Sequence, residues 1–451
     1  MNEKTAASQG PIRDARTLGV PKMLVLGLQH MFAMFGATVL VPILVQSYGL
    51  PLSIQTTLFF AGFGTLFFHV CTRLKVPAFL GSSFAFLGGF QAMAEMDAGI
   101  YATMEASEKL QYTCGGIVVA GLLYVLLALI IKAVGVHRVM HYLPPVVTGP
   151  IIILIGLNLA PSAVSNASTC WWLALVAMAI IIVANIWGKG MIKIIPILLG
   201  VVGSYVVALI AGQVDFTGLA DSGWVGFQPF FTDFGGSVAK FDISAILVMA
   251  PIAIASMMEH IGDMSAISAT VGENFIEDPG LHRTLIGDGV ATSLAGLFGG
   301  PANTTYGENT GVLVLSRVHD PRVIRLAAIY AVILSFSPKF AAFVNSIPAA
   351  IIGGVSFILY GMISAIGVRN VVENQVDFTN SRNLIIAAVI LVCGLGFTDG
   401  LTFHVGSASI TLTSLAIAAI AGIALNAILP GNDFHFGKSA TSDTAASLGR
   451  Y

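Results

Sequence analysis

Runs of roughly twenty apolar residues, parted by short polar connections, recur along the chain at 22–46, 54–72, 113–133, 143–160, 171–187, 193–213, 242–264, 281–298, 322–342, 346–366, 383–399 and 409–430. Each is long enough to cross about 30 Å of hydrocarbon as a helix. Two further segments, 77–95 and 300–316, are apolar enough to cross but are interrupted by Gly, Ser, Thr and Asn. That pattern predicts fourteen crossing segments, the third and the tenth of them broken. Non-helical backbone at membrane depth is tolerated only where protein or a water-filled cavity satisfies its N–H and C=O groups. The two breaks therefore predict a polar pocket.

Composition agrees with a polytopic membrane protein: 56% of the 451 residues are hydrophobic and 10% charged, with a mean hydropathy of +0.87, outside the range of a soluble globular chain. The first apolar run is too long for a signal-peptide core and reads as a retained span. With a cytoplasmic N-terminus and fourteen spans, only Lys109, Lys240 and Lys339 of the 21 basic residues fall on the outer side, as the positive-inside rule requires. Both termini are then expected in the cytoplasm and the chain in the cell membrane. No basic run points to nucleic acid. Four scattered cysteines, Cys71, Cys114, Cys170 and Cys393, carry neither disulfide nor metal spacing, so no metal is expected.

Fourteen divides into two sevens, and an odd repeat enters the membrane in opposite orientation the second time. LQHMFAM (28–34) in span 1 lies over MEHIGDM (258–264) in span 8, and the broken segments are third in their respective halves. Interrupted spans at corresponding positions point to a midplane binding site.

The charge count assigns all 21 Lys and Arg to one side or the other, those at the span ends included, and leaves none at membrane depth, whereas Glu259, Asp263, Asp288 and Glu308 are read there. Acids at that depth are costly and mark permeation or proton pathways. Glu259 and Asp263, four residues apart, share one helix face, and with Glu308 they offer proton-carrying groups beside hydrogen-bond acceptors. Two readings stand for His30, a proton relay and a helix-bridging side chain. His260 points off the Glu259–Asp263 face, and Asp288 reads as a cap or a bridge between helices. Phe84 and Tyr306 are read either as platforms for a planar ring or as core packing.

The stretches LQHMFAMFGATVLVP (28–42), PAFLGSSFAF (77–86), MEHIGDMSA (258–266), PGLHRTLIGDGVATSLAGLFGGPANTTYGENTGV (279–312) and VRNVVENQVDF (368–378) resemble the nucleobase–ascorbate (nucleobase:cation symporter-2) transporter family over nearly the whole chain. Glu308 fits its uracil branch better than its xanthine or ascorbate branches. The resemblance implies two inverted seven-span repeats, with short antiparallel strands in segments 3 and 10. It implies a core domain of spans 1–4 (21–142) and 8–11 (242–345), and a gate domain of spans 5–7 (143–241) and 12–14 (346–430), flanked by cytoplasmic tails 1–20 and 431–451. It further implies proton-coupled uracil uptake by a homodimer through an elevator motion, driven by the proton gradient and without a cofactor. Glu259 and Glu308 match the carboxylates that hold the pyrimidine, Phe84 and Gly307 the amides facing its carbonyls, and Tyr306 a neighbour of the ring. Glu259, Asp263 and Glu308 are read as the proton-coupling groups, with His30 added from its own position in span 1, where it relays protons or contacts substrate on one of its two readings. Some members carry His where this chain has Asp263, and Ser316 stands where the family signature has Thr.

A xanthine or uric acid carrier on the same scaffold is the near alternative. An anion carrier or channel needs a fixed cation in the site, which the charge count does not supply, and an intramembrane enzyme needs a nucleophile or metal cluster beside the acids.

Overall fold

The computed structural model describes residues 11–97, 99–216, 219–226, 238–398, 400–405, 408–432 and 434. Helix α1 (Val20–Ser47) starts with Pro21 in its first turn, where the missing N–H costs nothing. Helix α2 (Ile54–Cys71) is capped by Ser53, whose hydroxyl accepts from the Thr56 amide. The chain then leaves helical geometry for strand β1 (Leu80–Ser82) and resumes as α3 (Leu87–Glu95) and the long α4 (Ala106–Val134). Helices α5 (Pro145–Asn158), α6 (Trp171–Ile186) and α7 (Pro196–Ile210) follow.

Helix Ile243–Met249 continues across Pro251 into α8 (Ile252–Val271), which ends on Gly272 in the left-handed conformation. Then come α9 (Leu281–Leu297), strand β2 (Asn303–Thr305), α10 (Gly307–Ser316), α11 (Pro321–Ser335), α12 (Ala349–Glu373) and α13 (Ser381–Gly396). Strands β3 (Leu401–Val405) and β4 (Ala408–Leu412) form a hairpin before α14 (Ser414–Ile428).

Two expectations are corrected here. The run 322–342 is not one helix: Ser337 caps a new one at Pro338, and the two parts meet at 88°. The run 409–430 is helical only from Ser414, because residues up to Leu412 pair with β3. An all-α architecture therefore holds apart from the strands in the broken segments and this second, unexpected hairpin.

Helix α9 packs on α4 and α2, and α11 on α2 and α1, while α12 packs on α5 and α6, α13 on α5 and α14, and α7 on α6. Small residues let these helices touch, as membrane packing favours. A Cβ on Gly121 of α4 would lie 2.4 Å from the Gly289 carbonyl of α9. Away from such contacts apolar side chains point outward: Leu122, Leu126 and Leu129 on α4 are all more than half exposed, an apolar stripe suited to lipid.

The segment before α1 is tied down. Ile12 bridges to Val318, the Ala15 amide donates to Asp320 Oδ2 at 2.7 Å, and Arg322 Nη1 donates to Asp14 and Asp320, each at 3.0 Å. Arg13 pairs with Glu273.

Candidate binding site

Strands β1 and β2 pair antiparallel, Leu80 opposite Thr305, Gly81 opposite Thr304 and Ser82 opposite Asn303. The ladder extends at both ends: the Ser83 amide donates to Ala302 O at 2.8 Å and the Tyr306 amide to Phe79 O at 3.0 Å. A two-stranded sheet inside a membrane leaves two open edges, and each is met by a threonine. The Leu80 amide donates to Thr65 Oγ1 of α2 at 2.8 Å, and the Asn303 amide to Thr292 Oγ1 of α9 at 3.1 Å. The buried N–H groups that the Gly-, Ser- and Thr-rich breaks free from helix are thereby satisfied.

Beyond each strand a helix begins, so amides without an intrahelical partner collect at the sheet ends. Phe84 opens a short 3-10 turn before α3, and Gly307 and Glu308 form the first turn of α10. That turn is the positive end of the helix dipole, a favourable place for an acid.

Helix α8 crosses in front of this sheet. Glu259, Asp263, Thr304, Thr305, Gly307 and Glu308 line one cavity, with Phe84 and Tyr306 at its sides and Ile152 (α5), Ile363 and Ile366 (α12) closing it. The cavity is narrow, about 20 Å3, enough for roughly one water. Thr305 Oγ1 donates to Asp263 Oδ2 at 2.7 Å. Glu259 Oε2 is buried with no hydrogen-bond partner among the described residues. The Phe84 ring stands edge-on to Tyr360 of α12, centroids 5.8 Å apart.

Tyr306 bolts the strands together. Its hydroxyl donates to Ser82 O at 2.9 Å, and its ring lies over Gly81, where a Cβ would come within 2.3 Å of ring carbons. Only glycine leaves room for that crossing.

Of the residues singled out from sequence, Phe84, Glu259, Asp263, Tyr306, Gly307 and Glu308 meet at the cavity. His30 does not line it: the side chain is fully buried in α1, and the Asn309 amide nitrogen of α10 lies 3.2 Å from its Nδ1 and donates to its carbonyl at 3.1 Å. His260 faces away, 2.9 Å from Asp288 Oδ2 and 3.0 Å from Thr284 Oγ1, so this pair joins α8 to α9. Sequence reasoning passed over Thr304, Thr305 and the three isoleucines. The threonines stood inside the quoted PANTTYGENTG run, whereas nothing in the isoleucines' local sequence sets them apart from lipid-facing ones.

Residues 21–403 match the sequence model of a family described as "Permease family". The "Uracil permease" of Bacillus caldolyticus is 42% identical over 429 residues, covering 93% of this chain and 94% of that protein. The "Uracil permease" of Bacillus subtilis (strain 168) is 41% identical over 416 residues, with 89% and 91% covered. The "Putative pyrimidine permease RutG" of Escherichia coli (strain K12) is 35% identical over 441 residues, with 95% and 94% covered. Among solved structures, the transmembrane domain of a cyanobacterium bicarbonate transporter, BicA, superposes with a TM-score of 0.54 at 15% identity, over 81% of this chain and 98% of that one. The murine anion transporter Slc26a9 in its inward-facing state gives 0.62 at 11% identity, over 95% and 72%. At these identities the likeness is one of fold.

Proposed function

The chain belongs to the nucleobase–ascorbate (nucleobase:cation symporter-2) permease family, and from that premise we propose that it takes up uracil together with a proton. A permease is a transporter and not an enzyme, and this one is a multi-pass membrane protein. The carrying observation is the convergence of Glu259, Asp263 and Glu308 on one cavity between α8 and the β1–β2 pair.

Uracil presents two N–H donors and two carbonyl acceptors. Glu259 and Glu308 accept from the first, and the amides of Phe84 and Gly307 donate to the second. Phe84 and Tyr306 flank the ring. Asp263, held by Thr305, serves with Glu259 and Glu308 in taking up and giving back the proton, and His30 acts on them only through Asn309 and α10.

The proposed architecture is fourteen spans in two inverted repeats, with both termini cytoplasmic and a homodimeric assembly. The Thr65–Leu80 and Thr292–Asn303 bonds support the repeat, since the same contact recurs between the second and third segments and between the ninth and tenth. Helices α1–α4 with α8–α11 form the proposed core, and α5–α7 with α12–α14 the proposed gate. The packing partners described above fall within these two groups. The cavity as it stands is too narrow for a base, so binding requires Ile363 and Ile366 on α12 to part from the strands. An elevator-type displacement of core against gate supplies that separation.

The test is uptake of labelled uracil into proteoliposomes with and without an imposed inward proton gradient. Accumulation that depends on the gradient and yields to unlabelled uracil before xanthine supports the reading. Equal, non-accumulating uptake in both conditions contradicts the coupling.

A further inference from the structure

Beside the narrow cavity lies a wider one of about 220 Å3. The two share Gly307, Glu308, Ile363 and Ile366. The wider space runs along α10 as far as Leu315, between that helix, Phe32 of α1 and the start of α7 at Pro196. Its walls are apolar except for Glu308 on one side and, on another, Asn185 of α6 and Lys193 of the short helix Met191–Ile194. Among the described residues neither Asn185 nor Lys193 has a hydrogen-bond or ion-pair partner. The short helix that carries Lys193 packs on α10, which ends at Arg317. The charge pattern assigns both cations to the cytoplasmic side.

A cavity of this size, set against roughly 30 Å3 per water in the liquid, admits a single-ring base with water beside it. Pockets for small ligands join apolar walls to a few convergent polar groups, and that is the composition here. We infer that the wider cavity is a second, inner binding station for a nucleobase, built by Asn185 and Lys193 opposite Glu308. The Lys193 ammonium donates to a ring carbonyl, the Asn185 amide pairs with an adjacent N–H and C=O, and Glu308 accepts the remaining N–H. Because Glu308 borders both cavities, a base passes from the strands to the inner station without losing that acceptor. Asn185 and Lys193 belong to the helices that do not carry the strands, so the station is assembled from both moving parts. This inference rests on uracil being the cargo.

The experiment measures labelled uracil transport in vesicles of defined orientation for the intact protein and for Lys193→Met, Asn185→Leu and Lys193→Arg. Half-saturating concentrations are determined separately for entry from the outer face and exit from the inner face. Losing one good hydrogen bond should raise the inner-face value about tenfold in Lys193→Met and Asn185→Leu while the outer-face value stays within about twofold. Lys193→Arg, which keeps the charge and its donors, should stay near the unsubstituted protein. Unchanged inner-face values in both variants overturn the inference, as do inner- and outer-face values that rise together. If the unsubstituted protein moves no uracil at all, the transport reading itself fails, an outcome distinct from either.

Discussion

Around Leu80 and around Asn303 the chain does the same thing twice. A helix carrying a threonine precedes the break, its hydroxyl accepts the first strand amide, three residues pair, and a helix resumes. The side chains are not repeated. The first break offers Gly81, Ser82, Ser83 and Phe84, small groups and one ring, whereas the second offers Asn303, Thr304, Thr305, Tyr306 and an acid, Glu308. The backbone plan is common because both breaks solve one problem, satisfying free amides in a medium that cannot. The chemistry diverges because one cavity serves both, and a single acid on one side is enough to give it a direction for donors and for protons.

The sharpest way to break this contrast is to remove the acid. Glu308→Gln should lower uracil uptake about 10- to 100-fold, the worth of a hydrogen bond to a charged group, with unchanged protein in the membrane by immunoblot. Uptake at the unsubstituted level would show that the asymmetry carries no function.

Next in size is the crossing of Tyr306 over Gly81. Gly81→Ala places a methyl within 2.3 Å of the ring, and overpacking of this kind costs about 1–3 kcal/mol. A lower melting temperature in detergent and reduced uptake are expected. Gly88→Ala, where nothing lies within 4 Å of the added carbon, is the matched control and should behave as the unsubstituted protein; equal behaviour of the two variants would refute the steric account.

A smaller effect is expected at Thr305, whose register partner Leu80 has no hydroxyl. Thr305→Val removes the donor to Asp263 Oδ2, at about 1 kcal/mol, read as a lowered melting temperature. An unchanged value would mean that this bond contributes nothing.

The smallest effect lies at the far end of α10, where the N-terminal segment is fastened to the loop after that helix. The Arg16 guanidinium beside Asp14 holds its carboxyl below the ordinary 3.8, at about 2. A depressed carboxylate stabilises above its unfolded value and loses that contribution as pH falls. The fastening should therefore weaken between about pH 4 and pH 2, seen as faster hydrogen exchange in residues 11–18 after correction for intrinsic rates. Asp14→Asn should lose this pH dependence and leave uptake close to normal. Exchange in this segment that does not respond to pH across that window would argue against the ion pair.

Much of this was legible in the sequence for physical reasons. Helix breakers such as Gly81-Ser82-Ser83 and Pro301-Ala302-Asn303 announce themselves inside apolar runs, and acids such as Glu259, Asp263 and Glu308 stand out where charge is costly. The hairpin at 401–412 did not stand out, because its apolar residues run on into α14 without an interruption that separates strand from helix. Nor did the bend at Ser337, since a capped helix start and a continuous span share the same hydropathy. Local sequence cannot separate the two readings of His30, because its partner Asn309 is 279 positions away. Nothing in the local sequence marks Asn185 or Lys193, and only the packing of α6 and α7 against α12, and of the short helix Met191–Ile194 against α10, brings them to the cavity that Glu308 borders.

The central claim is that a flat base lies between the two breaks and α8, and a structure of the protein with uracil bound tests it most directly. The account predicts the ring within hydrogen-bonding distance of Glu259 and Glu308, its carbonyls toward the amides of Phe84 and Gly307, and Ile363 and Ile366 displaced from the strands. Uracil bound elsewhere, with these two carboxylates out of its reach, would contradict it.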